Sequence, residues 1–329
     1  MRDVAVRAGV SRSLVSTVFR GVPGASPATR ERVLVAAAEL GYRPDDRARK
    51  LRSRESRLIG VTLTAVHPFH VAVTEALHEE TLLGCYDLSI SWTTSSRSLS
   101  NAIDALLTQR CAALILIGPT VGDEEIDDLT RLAPHVPIVV VDRHLDLATV
   151  DALRVDDTAG LRLAINHLAG LGHSRIWYTD GGTFVSADPR RSAYLSAMTE
   201  AGLIDCARVI PSGGSRLDGA ASATRLVDGG DLPTAIVAYN DQNAFGILDV
   251  LTRRGIRVPD DISIIGFDDD PEAALDHVSL TTVVQRADGL AVAVSETVVN
   301  RISGAGPAGL NLLAPGPLVV RSSTGRPRL

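Results

Sequence analysis

The sequence predicts an all-α head joined to a two-lobed α/β body with parallel sheets. Three observations predict it. The first 57 residues hold three short helical patterns and a strong basic excess. From Leu58 onward, continuous Val/Ile/Leu runs alternate with helical segments. The chain has 329 residues, 45% of them hydrophobic, which corresponds to about two domain-sized units rather than one small domain.

In the head, Asp3 to Ala8 form a short helical pattern with Val4, Ala5 and Ala8 on one face, and Gly9 permits the positive φ of a turn. Val10 plugs the turn. Ser11 is an N-cap for a second helix running to about Arg20. Its apolar residues are Leu14, Val15, Val18 and Phe19. Its polar residues, Arg12, Ser13, Ser16, Thr17 and Arg20, gather on one face at helical spacing. The third helix has Ser26 as N-cap, Pro27 at its first position, Val33, Ala37 and Leu40 facing inward, and Gly41 as C-cap. Two helices joined by a Gly-containing turn, the second with a short-chained polar face, make a helix-turn-helix.

Charge points the same way. Residues 1–57 carry 13 basic against 6 acidic residues, whereas the remainder carries 20 against 33, so a head of +7 sits on a body of −13. A basic head on an acidic body suits a polyanion reader tied to a sensor or an enzyme.

The head resembles the lactose-repressor (LacI/GalR) family of bacterial transcription regulators through DVAVRAGVSRSLVSTVFRG and SPATRERVLVAAAELGYRPDDRARKLRS. The resemblance implies that Arg12, Ser13 and Thr17 read major-groove base edges in a helix beginning at Ser11, with Ser16 on a phosphate and Arg20 on the same face. Thr17 stands where the family commonly has arginine, and Asp45 where it commonly has asparagine. A Thr N-cap usual before the first helix is replaced by Met1 and Arg2, so an upstream start or a frayed first helix is expected. In the hinge, Ala48 and Leu51 match a minor-groove pair, Leu51 being the wedge at the central base step. The implied parts are a DNA-binding domain at 1–44, a hinge at 45–57 that orders on DNA, and an effector-binding and dimerisation domain at 58–329. Within the last, one lobe takes about 58–156 and 285–312, the other about 157–284 and 313–329.

The body's strands read as LIGVTL (58–63), 87–91, AALILIG (112–118), PIVVVD (137–142), RIWYTD (175–180), TAIVAY (234–239) and ISIIGFD (262–268), with helices at 71–83 and 102–109. Uninterrupted apolar strands are covered on both faces, as in parallel sheets with crossover helices. Ligands of such sheets sit at the strands' carboxyl ends. There stand His67-Pro68-Phe69, Trp92, Asp142-Arg143, Asn240-Asp241 and Asp268-Asp269, although Asp and Asn after a strand are also ordinary caps.

The body also resembles the family, through VPIVVVDR, HLAGLGHSRIWYTDGG, PTAIVAYNDQNAFGILDVLTRRGIRVPDDISIIGFDD and SLTTVVQ. This implies a type I periplasmic-binding-protein-like fold. It places Asp142, Arg190 (of Arg-x-x-Ala193-Tyr194), Asn240 and Asp268 against the effector, with Phe69 and Gln285 facing the pocket and Trp92 on its roof. Such groups suit vicinal hydroxyls, so a sugar or polyol is expected, with a nucleobase as the alternative. His67-Pro68-Phe69-His70 replaces the family's Asn-Pro-Phe-Phe. The two imidazoles mark either contact with an acidic or unusual sugar or a hydrogen-bonded pocket wall.

Enzyme readings find no support: GxGxxG, Walker A and GxSxG patterns are absent, and Asp268-Asp269-Asp270 lacks companions at metal-ligand spacing. No catalytic residue, cofactor or metal is expected. Cys85, Cys111 and Cys206 are far apart without a CxxC pair and read as small core residues in a reducing compartment. With no apolar run of about 18 residues and no apolar leader, a cytoplasmic protein is expected. Its partners are a near-palindromic operator, a sugar effector and a second copy of the chain. The rival to this reading is a sugar sensor without specific DNA binding.

Overall fold

The computed structural model describes residues 1–19, 22–42, 56–64, 67–84, 86–94, 96–145, 147, 149–184, 186–306 and 309–328. The expected roles of Arg20, Ala48 and Leu51, most of the expected hinge, and Cys85 lie outside the described residues. The chain divides into Met1–Ser56 and Arg57–Leu329, and each unit has its own core.

The first unit holds α1 (Arg2–Ala8), α2 (Arg12–Phe19) and α3 (Pro27–Glu39). Met1 precedes α1 without a side-chain cap, and Gly9 closes the helix at φ 66°. Ser11 caps α2 by accepting from the Leu14 N–H at 3.2 Å, and Ser26 caps α3 by accepting from the Thr29 N–H. Val4, Ala5, Ala8, Val15, Val18, Val33, Ala36 and Ala37 make one small core, with Val10 packed against it. Leu40, expected inward, is exposed: α3 ends there, its last inward places are taken by Ala36 and Ala37, and Leu40 itself is the C-cap. Arg30 of α3 donates to the Val18 and Val22 carbonyls, satisfying acceptors left open where α2 ends.

The second unit contains two six-stranded sheets. The first runs β11 (Leu310–Leu313), β5 (Asp151–Val155), β4 (Ile138–Val141), β3 (Ala113–Ile117), β1 (Leu58–Thr64), β2 (Asp87–Thr93), all parallel. The second runs β12 (Leu318–Val319), β10 (Thr281–Val284), β9 (Ser263–Asp268), β8 (Ala235–Val237), β6 (Ile176–Thr179), β7 (Arg208–Ile210), parallel except where β12 meets β10. The expected strands all form. Helix α4 (Pro68–Leu83) starts three residues before the apolar pattern at 71, because Pro68 sits comfortably in a first turn.

Helices α4, α5 (Leu99–Thr108), α6 (Asp123–Leu132) and α11 (Ala287–Ile302) cover the first sheet. The second is covered by α7 (Asp157–Leu171), α8 (Ala187–Glu200), α9 (Arg216–Gly229) and α10 (Asp241–Arg253). The Val/Ile/Leu runs are buried throughout: β3 and β4 have no exposed residue. The backbone passes between sheets just before α7, between β10 and α11, and between β11 and β12. Cys111 is buried, but Cys206, in the turn before β7, is exposed, which corrects its expected core position. Among the described residues, no helix is long and apolar enough to cross a membrane.

Candidate functional site

In the head, the turn of α1 onto α2 leaves Ser11, Arg12 and Ser13 exposed at the start of α2, with Ser16 and Thr17 half-buried. Local bonds set this end: the Ser11 and Ser13 hydroxyls are 2.8 Å apart, and the Thr17 hydroxyl donates to the Ser13 carbonyl at 3.1 Å. A helix N-terminus with an arginine and short hydroxyl side chains fits phosphate oxygens and base edges.

In the second unit, the carboxyl ends of both sheets face one cavity of about 40 Å³, lined by Thr64, His67, His70, Asp142, Arg190 and Gln285 among others. The strand ends supply these groups: Thr64 ends β1, Asp142 follows β4, and Gln285 follows β10. Asp142 and Asp268 hold positive φ (58° and 135°), as does Asp269 at 60°. Such backbone costs roughly 1–3 kcal/mol at each non-glycine position and clusters at ligand sites.

Arg190, from the first turn of α8, is the most constrained group. Its Nε donates to Asp157 Oδ1 at 2.9 Å and its Nη1 to the Tyr239 carbonyl at 2.8 Å. The guanidinium lies 4.8 Å over the Tyr239 ring and 4.2 Å over that of Phe267. Asp142 pairs with His70 Nε2 at 2.8 Å. Burial pushes the Asp142 carboxyl up, but the His70 bond and the charges of His70 and Arg190 outweigh it, so it sits below the usual carboxylate range. Asp268 behaves oppositely: burial, then the neighbouring Asp241, raise it well above that range, although Gln285 Nε2 donates to its Oδ1 at 2.6 Å.

His67 comes from the first-sheet side and meets second-sheet residues. Its Nε2 lies 2.7 Å from Asn240 Nδ2 and 3.6 Å from Asp268 Oδ2. Burial and the neighbouring His70 lower its pKa to about 3. The sign of the linkage follows. Between about 6.5 and 3 the unfolded chain binds a proton at this ring that the native chain refuses, so this contribution to stability is full above 6.5 and shrinks as pH falls. His67→Gln is therefore expected to flatten the acid side of the stability curve, measured as urea midpoints at pH 7 and pH 5. Equal slopes for the two proteins would refute it.

The structure gathers Asp142, Arg190 and Gln285 around the cavity, and it places Asn240 and Asp268 behind His67. Phe69 is not a wall of this cavity. It is buried in the first sheet's core and lines a neighbouring groove with Asp268 and Gln285. Trp92 is likewise not on the cavity's roof. It stands on the edge strand β2, 43% exposed, and the pleat turns buried Ser91 inward instead. Sequence reasoning missed Asp157 and Tyr239. Tyr239, next to Asn240, carried a positional signal; Asp157, beside the helix cap Asp156, carried none. Among the described residues no cluster of His, Cys, Asp and Glu could hold a metal ion.

A family model for bacterial regulatory proteins of the lacI family matches residues 1–45, and a periplasmic binding protein-like domain matches residues 165–324. The HTH-type transcriptional regulator GalS of Salmonella typhimurium is 33% identical over 92% of this chain and 90% of its own. The ribose operon repressor of Haemophilus influenzae is 30% identical over 92% of this chain and 91% of its own. Among solved structures, the lac repressor dimer bound to operator and the anti-inducer ONPF superposes with a TM-score of 0.84, at 28% identity and 98% coverage of both chains.

Proposed function

The chain belongs to the lacI family of bacterial regulatory proteins, transcription regulators and not enzymes, and from that premise we propose that it is a cytoplasmic, dimeric repressor whose operator affinity is switched by a sugar. The observation that carries the sugar reading is the cavity itself. Ionised Asp142, a doubly anchored Arg190 and Gln285 line one cavity and offer acceptors and donors to hydroxyls, at the meeting of two sets of strand ends. The related ribose operon repressor supports both the sugar and the sign. Residues 1–44 bind DNA, 45–57 form the hinge, and 58–329 bind effector and dimerise. Ser11, Arg12, Ser13, Ser16 and Thr17 face the major groove, with Arg20 beside them and Ala48 and Leu51 in the minor groove. Asn240 and Asp268 join Asp142, Arg190 and Gln285 on the effector. Sugar binding rearranges the lobes and hence the hinge spacing, with a coupling of about 1–3 kcal/mol.

A thermal-shift screen of sugars and nucleobases tests the effector, since a selective ligand raises the midpoint by mass action. A nucleobase hit with no sugar hit would overturn the sugar reading. The DNA arm is tested at the recognition helix. Arg12 is exposed, so Arg12→Ala is expected to fold normally and to lose roughly 1–3 kcal/mol of specific operator binding in fluorescence anisotropy. Wild-type affinity in the variant would remove Arg12 from base recognition.

A further inference from the structure

The sugar cleft of this chain is already occupied by one of its own side chains. His67 is held by its backbone at the start of α4, where its carbonyl accepts from the His70 and Val71 N–H groups. Its ring crosses to the other sheet and ends on Asn240 and Asp268. What remains open is about 40 Å³, room for water but far below the roughly 300–1,000 Å³ of small-molecule pockets.

The hydrogen bonds fix the tautomer. Asn240 caps α10, its Oδ1 accepting from the Asn243 N–H at 2.8 Å. That orients the amide, so Nδ2 is the atom that faces His67, and it donates. His67 Nε2 therefore accepts and carries no proton, and the ring proton sits on Nδ1. Buried Nδ1 of His67, Nδ1 of His70 and Oε1 of Gln285 have no hydrogen-bond partner. Unpaired buried polar atoms of this kind cost free energy until a ligand or water meets them.

Resting on the sugar reading above, we propose that His67 is the specificity-determining residue of the cleft: a tethered stand-in for the effector, which a neutral sugar evicts by placing a hydroxyl where the ring nitrogen lies. A hydroxyl accepts from Asn240 Nδ2 as the imidazole does. Unlike the unprotonated nitrogen, which can only accept, a hydroxyl can both donate and accept, and so can pair with Asp268 Oδ2 as well. The remaining hydroxyls donate to Gln285 Oε1 and meet the partnerless His70 Nδ1. A carboxylate or phosphate supplies no donor and would face the ionised Asp142. A neutral imidazole at His67 gives an acidic sugar no positive charge there, so His67 selects against acidic sugars.

Three measurements test this. In the wild-type protein, ¹⁵N NMR is expected to show His67 as the Nδ1–H tautomer; a proton on Nε2 overturns the proposal. In His67→Ala, millimolar imidazole is expected to refill the vacated space and raise the unfolding midpoint, with no such rise in wild type; equal responses overturn it. In calorimetric titrations with D-galactose, D-ribose and D-glucuronate, His67→Ala is expected to bind a neutral sugar about five- to tenfold more tightly than wild type, the worth of one hydrogen bond no longer broken on entry. His67→Gln, whose amide oxygen accepts from Asn240, is expected to restore the wild-type value. D-glucuronate as the preferred ligand, or a neutral sugar bound equally by wild type and His67→Ala, overturns the selection. If no sugar binds any of the proteins, the sugar reading fails, while the tautomer and imidazole results still decide whether His67 latches the cleft.

Discussion

Arg190→Ala is expected to destabilise the protein by about 3–5 kcal/mol and to abolish its response to effector. The reason is what the substitution leaves behind. Asp157 is buried with Arg190 as its 2.9 Å partner, and Arg154 lies farther off at 3.7 Å. Removing the guanidinium strands a carboxylate away from water, uncovers the Tyr239 carbonyl, and empties the slot between the Tyr239 and Phe267 rings. The charge on Arg190 survives its own burial because Asp157 holds it.

The pH dependence of this loss has a definite sign. Burial already raises the Asp157 carboxyl above its usual value, with Arg190 pulling it down. Without Arg190 it rises further. The native variant then holds a proton that the unfolded chain releases near pH 4, so its stability falls as pH increases. The deficit relative to wild type should therefore be smaller at pH 5 than at pH 8. Arg190→Lys keeps a charge but not the fork that reaches Asp157 and the Tyr239 carbonyl together, and should recover part of the stability and little of the effector affinity. Urea midpoints at both pH values check the first claims, and effector-dependent operator binding checks the last. A loss below about 1 kcal/mol would mean that water reaches Asp157 after all.

These two residues also show what a sequence can and cannot reveal. Arg190 was visible because the family resemblance implies a role for the arginine of Arg-x-x-Ala193-Tyr194. Asp157 was not, because its role depends on a partner 33 residues away in sequence. The strands were legible for a simpler reason: a strand covered on both faces must be apolar at every position, as β3 and β4 are. β2 lies at a sheet edge, where burial no longer dictates the pattern, and there the inference about Trp92 failed. His67 was noticed as an unusual residue, but its reach to Asn240 needs both sheets in place before it can be seen.

Gly246→Ala is expected to destabilise the protein by several kcal/mol, although alanine in a helix ordinarily gains about 1 kcal/mol over glycine. A Cβ on Gly246 of α10 would lie 1.9 Å from the Arg216 carbonyl oxygen and 2.7 Å from the Ala220 nitrogen, both backbone atoms of α9. The contact is reciprocal, since a Cβ on Gly219 of α9 would lie 2.1 Å from the Asn243 carbonyl oxygen. The helices therefore touch backbone to backbone, and a methyl group can be admitted only by moving a helix, not by turning a side chain. Overpacking costs about 1–3 kcal/mol where side chains can adjust, and more where they cannot. The consequence reaches the cleft, because Asn240 caps the same α10 and sets the amide that meets His67. Gly170→Ala, in α7, is the control: nothing lies within 4 Å of its Cβ, so it should stabilise by up to about 1 kcal/mol. Urea unfolding of both variants settles it. Opposite signs are expected, and a Gly246→Ala variant as stable as Gly170→Ala would show that α9 and α10 do not pack this closely in solution.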